Sequence, residues 1–310
     1  MIKNVILSLL FTLMATVTPY TSLAAEKVEI RFAYVPNSIY LVEQSADYDM
    51  TMKFQNPFVA AEELRAKFPV SFDVRDNRTI SIETGNITDG KSFPITIELK
   101  KGDQIVSVNG SPSQKVNTSL EKLIGLRVHG TSDKGGKIKF DKIDGKEVSE
   151  EDRKLYFLVF EQLSKSLNQI ESKPIGVGES FTQKVPFDFP VPGIANIGME
   201  MTIVYKLVRI VDKIAEFDTT TSFKLAVSEG SEAASKIEAT GDGTGSLVYD
   251  IDKKVALKNT SKFNMEMVVP TDDAKIIITA KSFDTSTTEM KAQGSTSGGT
   301  QSSLRSVGAP

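Results

Sequence analysis

Tyr48-Asp49-Met50-Thr51-Met52-Lys53-Phe54 alternates apolar and polar residues with a period of two, the pattern of a β-strand with one buried and one wet face. The same alternation recurs at Val28/Ile30/Phe32/Tyr34, Val70/Phe72/Val74, Ile80/Ile82, Phe93/Ile95/Ile97/Leu99, Phe223/Leu225/Val227, Leu247/Tyr249/Ile251 and Phe263/Met265/Met267/Val269. Clusters of turn-forming residues at Thr88-Asp89-Gly90, Lys101-Gly102-Asp103 and Val108-Asn109-Gly110 fall between such runs and predict hairpins. The expected fold is mainly β with a minor helical part (α+β). It reads as a large curved antiparallel sheet or half-barrel carrying two amphipathic helices.

The helices are where the period changes. Asn56 caps and Pro57 opens the first, over about 57–68, with Phe58, Ala61, Leu64 and Phe68 on one face before Pro69 stops it. Ser149 with Asp152 makes an approximate capping box for the second, where Leu155, Val159, Leu163 and Leu167 recur every four residues. Leu155 to Phe160 is continuously apolar, so this helix is expected to be buried on a broad face or to cover an apolar cavity.

At the N-terminus, Lys3, the apolar run Val5 to Ala15 and the small-x-small site Ser22-Leu23-Ala24 compose a secretion signal. The expected organisation is a signal over 1–24, a β-rich half with one helix over 25–148, a linking helix over 149–171, an antiparallel half over 172–291 and a Gly/Ser/Thr-rich tail over 292–310. Two motif pairs suggest related halves. Gly130 to Asp141 and Gly241 to Asp250 each place a glycine-rich turn before a strand ending in aromatic-Asp. Tyr48-Asp49-Met50-Thr51-Met52 parallels Phe263-Asn264-Met265-Glu266-Met267. Duplication and chance recurrence of glycine turns both account for these matches.

With no Cys, the 310 residues have no disulfides, thiolate metal sites, cysteine nucleophiles or lipidated cysteine anchor. Charges of both signs are interspersed around a net −3, which argues against nucleic acid as a partner. Beyond the signal, no stretch reaches the roughly 18 apolar residues of a spanning helix. The absence of Trp and of paired aromatic girdles argues against a membrane barrel.

His129 is the single histidine. It cannot build a zinc site alone, and as a general base it would need a nearby nucleophile and a carboxylate, so a surface or turn position is expected. Acidic residues from Asp141 to Asp152 fail the calcium-loop template, because Ile143 and Gly145 occupy the third and fifth positions counted from Asp141. They read as a hairpin turn leading into the second helix. Gly241-Asp242-Gly243-Thr244-Gly245 precedes a strand rather than a helix, and so reads as a flexible hairpin turn rather than a phosphate loop. The Met-x-Met pairs Met50/Met52, Met199/Met201 and Met265/Met267 each point to one face of a strand. They could pack a core, line an apolar ligand, or offer thioethers to Cu(I). No catalytic residue and no resident metal or cofactor is assigned.

From about Leu120 to Lys291 the chain resembles an uncharacterised family of secreted bacterial β-rich proteins of Bacteroidetes and planctomycetes type. The resemblance rests on Gly136-Lys-Ile-Lys-Phe-Asp-Lys-Ile-Asp-Gly145, Lys173-Pro-Ile-Gly-Val-Gly-Glu-Ser-Phe181, the strand Thr202 to Val211 and the turn before Tyr249-Asp250. It implies kinship without an assigned activity. In architecture the chain is also similar to bacterial lipoprotein and lipid-carrier half-barrels, which implies an apolar ligand held by a curved sheet.

The expected protein is a soluble, non-enzymatic product of the bacterial envelope, periplasmic or secreted, holding a lipid or other apolar ligand on the concave face. Its lining is expected to include Leu155, Phe157, Leu158 and Phe160 of the second helix with Met50, Met52, Met265 and Met267. The alternatives are a structural or interaction module recruited by an envelope protein, and a hydrolase using carboxylates that sequence does not locate.

Overall fold

The computed structural model describes residues 27–28, 33–55, 69–112, 114–115, 121, 123–145, 149–150, 153–154, 156–157, 160–161, 164, 174–191, 195–226, 237–253, 255–270 and 275–293, by backbone alone at 114–115, 186–191 and 195–199. The predicted signal, the predicted helix over 57–68 and the tail lie outside the described residues.

The strands are β1 (Lys27–Val28), β2 (Ser38–Phe54), β3 (Val70–Thr84), β4 (Ser92–Val108), β5 (Gln114–Lys115), β6 (Leu126–Asp133), β7 (Ile138–Gly145), β8 (Ile175–Gly176), β9 (Ser180–Val191), β10 (Ala195–Val211), β11 (Ile214–Ala226), β12 (Glu238–Asp250), β13 (Val255–Pro270) and β14 (Lys275–Ala292). One large sheet runs β7-β6-β4-β3-β2-β14-β13-β12-β11-β10-β9, with β5 added beside β4 and with β1 and β8 forming a separate small pair. Every pairing between these strands is antiparallel, and among the described residues the path ends at β7 and β9 without closing. The protein is thus mainly β, built on a curved open antiparallel sheet. Register shifts at Thr79/Ile80, His129/Gly130, Leu207/Arg209 and Val248/Tyr249 add local twist and bend.

Two hairpins show how local chemistry sets register. Asn109 and Gly110 take φ of 51° and 69°, and the Asn109 carboxamide oxygen accepts from the Ser71 amide at 2.7 Å. Asp212 and Lys213 take φ of 48° and 66° between β10 and β11, a two-residue turn of the kind that matches strand twist.

Three predicted turns are strand instead. Gly241 to Gly245 lies inside β12, where crowding explains the glycines. A Cβ on Gly241 would meet the Phe223 ring at 2.1 Å, and one on Gly245 the Thr260 carbonyl oxygen at 2.2 Å. Lys101-Gly102-Asp103 lies inside β4, with Gly102 directly opposite the buried Arg78. Asp141 to Gly145 continues β7, with Asp141 the extra residue of the bulge opposite His129/Gly130. The first motif pair therefore compares a true β6–β7 turn with the middle of a strand, and no longer argues for duplication.

The core is one cluster whose best-covered members are Tyr40, Ile82, Phe93, Leu207, Phe217 and Tyr249. Helical residues 150, 153–154, 156–157, 160–161 and 164 dock on β7. The Arg153 amide donates to the Ser149 carbonyl at 2.9 Å, so the helix begins where its cap was predicted. Tyr156, Phe160 and Ser164 are buried at four-residue spacing. Phe160 packs edge-on against Phe140, and the Ser164 hydroxyl donates to the Ile138 carbonyl. Arg153 Nη1 donates to the Ile143 carbonyl at 2.8 Å.

Candidate functional site: the inner face of the sheet

Side chains alternate across each strand, and register carries their rows across the sheet. One row runs Val108, Phe72, Met50, Ala280, Met265, Gly241, Phe223, Met201, Val185, from β4 to β9. The next runs Val70, Met52, Ile278, Met267, Ala239. The Met-x-Met motifs of β2 and β13 are thus aligned from either side of β14, and Met201 of β10 stands in the same row. Phe72, Met50, Met52, Met265 and Ile278 are only half-buried, whereas Met201, Phe223 and Met267 are buried.

Toward the other end of the strands, the row Ile143, Val128, Ile97, Ile82, Tyr40, Met290 forms the well-filled part of the core. Tyr40 and Met50 are ten residues apart on β2, about 33 Å. The helix packs at this end, so the structure does not bring Phe157 and Phe160 together with Met50, Met52, Met265 and Met267 into one lining. Phe157 instead borders an open cleft of about 580 Å³ between β7 and the helix, with Asp141, Lys142, Ile143, Arg153 and Lys154. Leu155 and Leu158 lie outside the described residues.

Between the two apolar zones lies a polar band. Its central row is Gln104, Asp76, Ala46, Asp284, Ser261, Gly245, Thr219, Tyr205. Arg78, Gln44, Ser286 and Asn259 form the neighbouring row. Arg78 and Asp76 are 3% and 2% exposed and paired through both carboxylate oxygens, Nε to Oδ1 at 2.8 Å and Nη2 to Oδ2. That geometry offsets the desolvation of two buried charges. Asp284 is 4% exposed, and the Tyr48 hydroxyl donates to its Oδ1 at 3.1 Å. Burial dominates and raises its carboxyl to about 6, with Ser282, Tyr48 and Arg78 pulling down and Asp76 pushing up. A buried carboxyl poised near neutrality marks the band as a candidate site. In β9, Gln183 is buried with neither carboxamide atom hydrogen-bonded among the described residues.

The opposite face is charged. Glu43, Asp47, Asp49 and Lys53 of β2, Asp73 and Arg75 of β3 and Lys258, Lys262 and Glu266 of β13 are exposed there. A membrane barrel presents the reverse, an apolar band outward. His129 stands on this outer face, on a strand rather than a turn. Its Nε2 lies 3.0 Å from Asp144 Oδ1 and its Nδ1 3.1 Å from Thr96 Oγ1. Lys142 first, then His129, hold the Asp144 carboxyl down at about 2. The hydroxyl and carboxylate that sequence could not locate for His129 are therefore its neighbours on β4 and β7. With Nε2–H donating to Asp144, Nδ1 accepts from Thr96, so the three groups lock β4, β6 and β7 in register.

The sequence matches no protein-family model and no curated protein. By backbone, the chain is similar to a solved structure of lipovitellin determined for its lipid–protein interactions (TM-score 0.45, 9% identity), over 84% of this chain and 26% of that one. It thus spans about a quarter of the lipovitellin chain. It is also similar to the translocator domain of the autotransporter NalP from Neisseria meningitidis (TM-score 0.28, 7% identity, 82% of this chain and 89% of that one). A third likeness is to OccK7 of Pseudomonas aeruginosa (TM-score 0.24, 7% identity, 82% and 99%). These are loose likenesses between large antiparallel sheets.

Proposed function

We propose that this is an exported, soluble envelope protein that holds the acyl part of a lipid against the open end of its inner face. The observation that carries the reading is the contiguous, half-covered apolar surface of Phe72, Met50, Met52, Met265 and Ile278, continuous with the buried core. Exposed apolar surface costs about 25 cal/mol per Å², and an acyl chain laid on it removes that cost. Unbranched methionines adapt to a flexible chain more readily than β-branched residues do. The charged outer face keeps the sheet in water while the inner face takes the ligand.

The test uses the chain from residue 25 and the fluorescence of diphenylhexatriene, which emits when it leaves water for an apolar site. Saturable binding is expected. Replacing Met50 and Met265 by Asp should weaken it at least tenfold, whereas Met50→Leu with Met265→Leu should retain it. An unbound probe in the native chain, or undiminished binding by a folded Asp variant, ends the reading.

A further inference from the structure

We infer that the ligand is an uncharged amphiphile whose polar end is held by the carboxamide of Gln183, an inference that rests on the acyl-binding reading above. Gln183 is 2% exposed, and neither its Nε2 nor its Oε1 has a hydrogen-bond partner among the described residues. Leaving a buried donor or acceptor without a partner is unfavourable, so the position favours a ligand group that answers both. A carboxamide accepts from a hydroxyl and donates to a carbonyl. The hydroxyl and ester carbonyl of a monoacylglycerol supply that pair.

Register places the carboxamide beside the apolar row. Gln183 aligns with Ile203 and Thr221, and Val185, Met201 and Phe223 form the row immediately next to it. That row continues through Gly241 to the half-buried Met265, so the chain of an amphiphile anchored at Gln183 is directed toward the open apolar surface.

Charge selects the class of head. The described inner-face positions around Gln183 are Phe181 and Val185 on β9, Met201, Ile203, Tyr205 and Leu207 on β10, and Ala215, Phe217, Thr219, Thr221 and Phe223 on β11. None of these carries a charge. The buried cation of the same face, Arg78, is across the sheet on β3 and already engaged by Asp76. A phosphate or ionised carboxylate beside Gln183 would be desolvated without a counter-charge, which is strongly unfavourable.

The experiment displaces diphenylhexatriene from the chain beginning at residue 25, using 1-oleoylglycerol or oleoyl lysophosphatidate. The neutral lipid should displace the probe at least tenfold more effectively. Gln183→Leu, which keeps the volume and removes the hydrogen bonds, should weaken 1-oleoylglycerol about tenfold and abolish its advantage over oleoyl lysophosphatidate. Equal displacement by the two lipids, a preference for lysophosphatidate, or a Gln183→Leu protein that binds 1-oleoylglycerol as the native chain does would each overturn the inference while sparing the acyl reading. Failure of the probe to bind the native chain overturns both. Should Gln183→Leu not fold, the lipid preference of the native chain decides the matter.

Discussion

Asp284 shows what a period-two reading of single residues leaves out. It shares its face with Tyr48, and a carboxylate at such a position looks like the end of a strand rather than its middle. The same holds on β3, where Asp76 and Arg78 stand between Val74 and Ile80 on the buried face and split one strand into two apparent runs. Their burial is tolerable because each finds a partner two residues along or across the ladder, and such partners do not register in an alternation count. Asp284 also has a definite pH signature. Its carboxyl moves from 3.8 to about 6 on folding, so the folded state holds more protons between those values and stability falls as pH rises through that window. The cost, present in full above about pH 6, is roughly 3 kcal/mol. Asp284→Asn keeps an acceptor for Tyr48 and removes the charge. Urea unfolding should find it more stable than the native chain at pH 7.5 and nearly equal at pH 4. A variant with the native pH slope would contradict the assignment.

At the scale of the element, β12 carries the clearest lesson. Gly241, Gly243 and Gly245 carry the composition of a loop, yet they pair residue by residue with β11 and β13. The Phe223 and Phe263 rings, with centroids 5.3 Å apart, fill the space a side chain on Gly241 would need, and the Lys262 and Thr260 carbonyl oxygens crowd Gly243 and Gly245. That reason lies in neighbouring strands, so local sequence could not show it. Gly245→Ala forces a methyl against the fixed Thr260 carbonyl oxygen and should destabilise the fold by about 1–3 kcal/mol. Differential scanning calorimetry should show a drop of several degrees, and an unchanged midpoint would mean that β12 relaxes freely. The second helix was more legible. Its cap at Ser149 and its apolar character were both readable, because helix start signals are local. Among the described helical residues Tyr156, Phe160 and Ser164 are buried, whereas the predicted stripe Leu155, Val159, Leu163 and Leu167 lies outside the described residues.

At the scale of the whole sheet, burial declines from the Tyr40 end to the Met50 end along β2 and β3, while Val185, Met201 and Phe223 keep β9 to β11 buried. Local opening should follow the same gradient, since regions with fewer buried apolar contacts open at lower free energy. Native-state hydrogen exchange should find the β2 amides of Met50 to Lys53 exchanging at least tenfold faster than those of Tyr40 to Val42. Uniform protection along β2 would show instead that the sheet opens only as one unit. The mainly β class and the antiparallel build were readable because the strand period dominates the chain. The order of strands was not, because it depends on which ladder β14 joins. The alignment of the Met-x-Met motifs in β2 and β13 comes from their shared neighbour, and no spacing in the chain encodes it.

That shared neighbour also sets a clock. β14, Lys275–Ala292, lies between β2, Ser38–Phe54, and β13, so the central seam joins the first long strand to the last. Pairings over such sequence distance are slow to form, because chain closure comes before any contact rewards it. β2 to β7 and β9 to β13 can each zip by neighbour-to-neighbour steps, but they become one sheet only after residue 292 has been made available. A ribosome or a translocation channel that releases this chain from its N-terminus therefore delivers two unfinished sheets with open edges, and the final strand joins them.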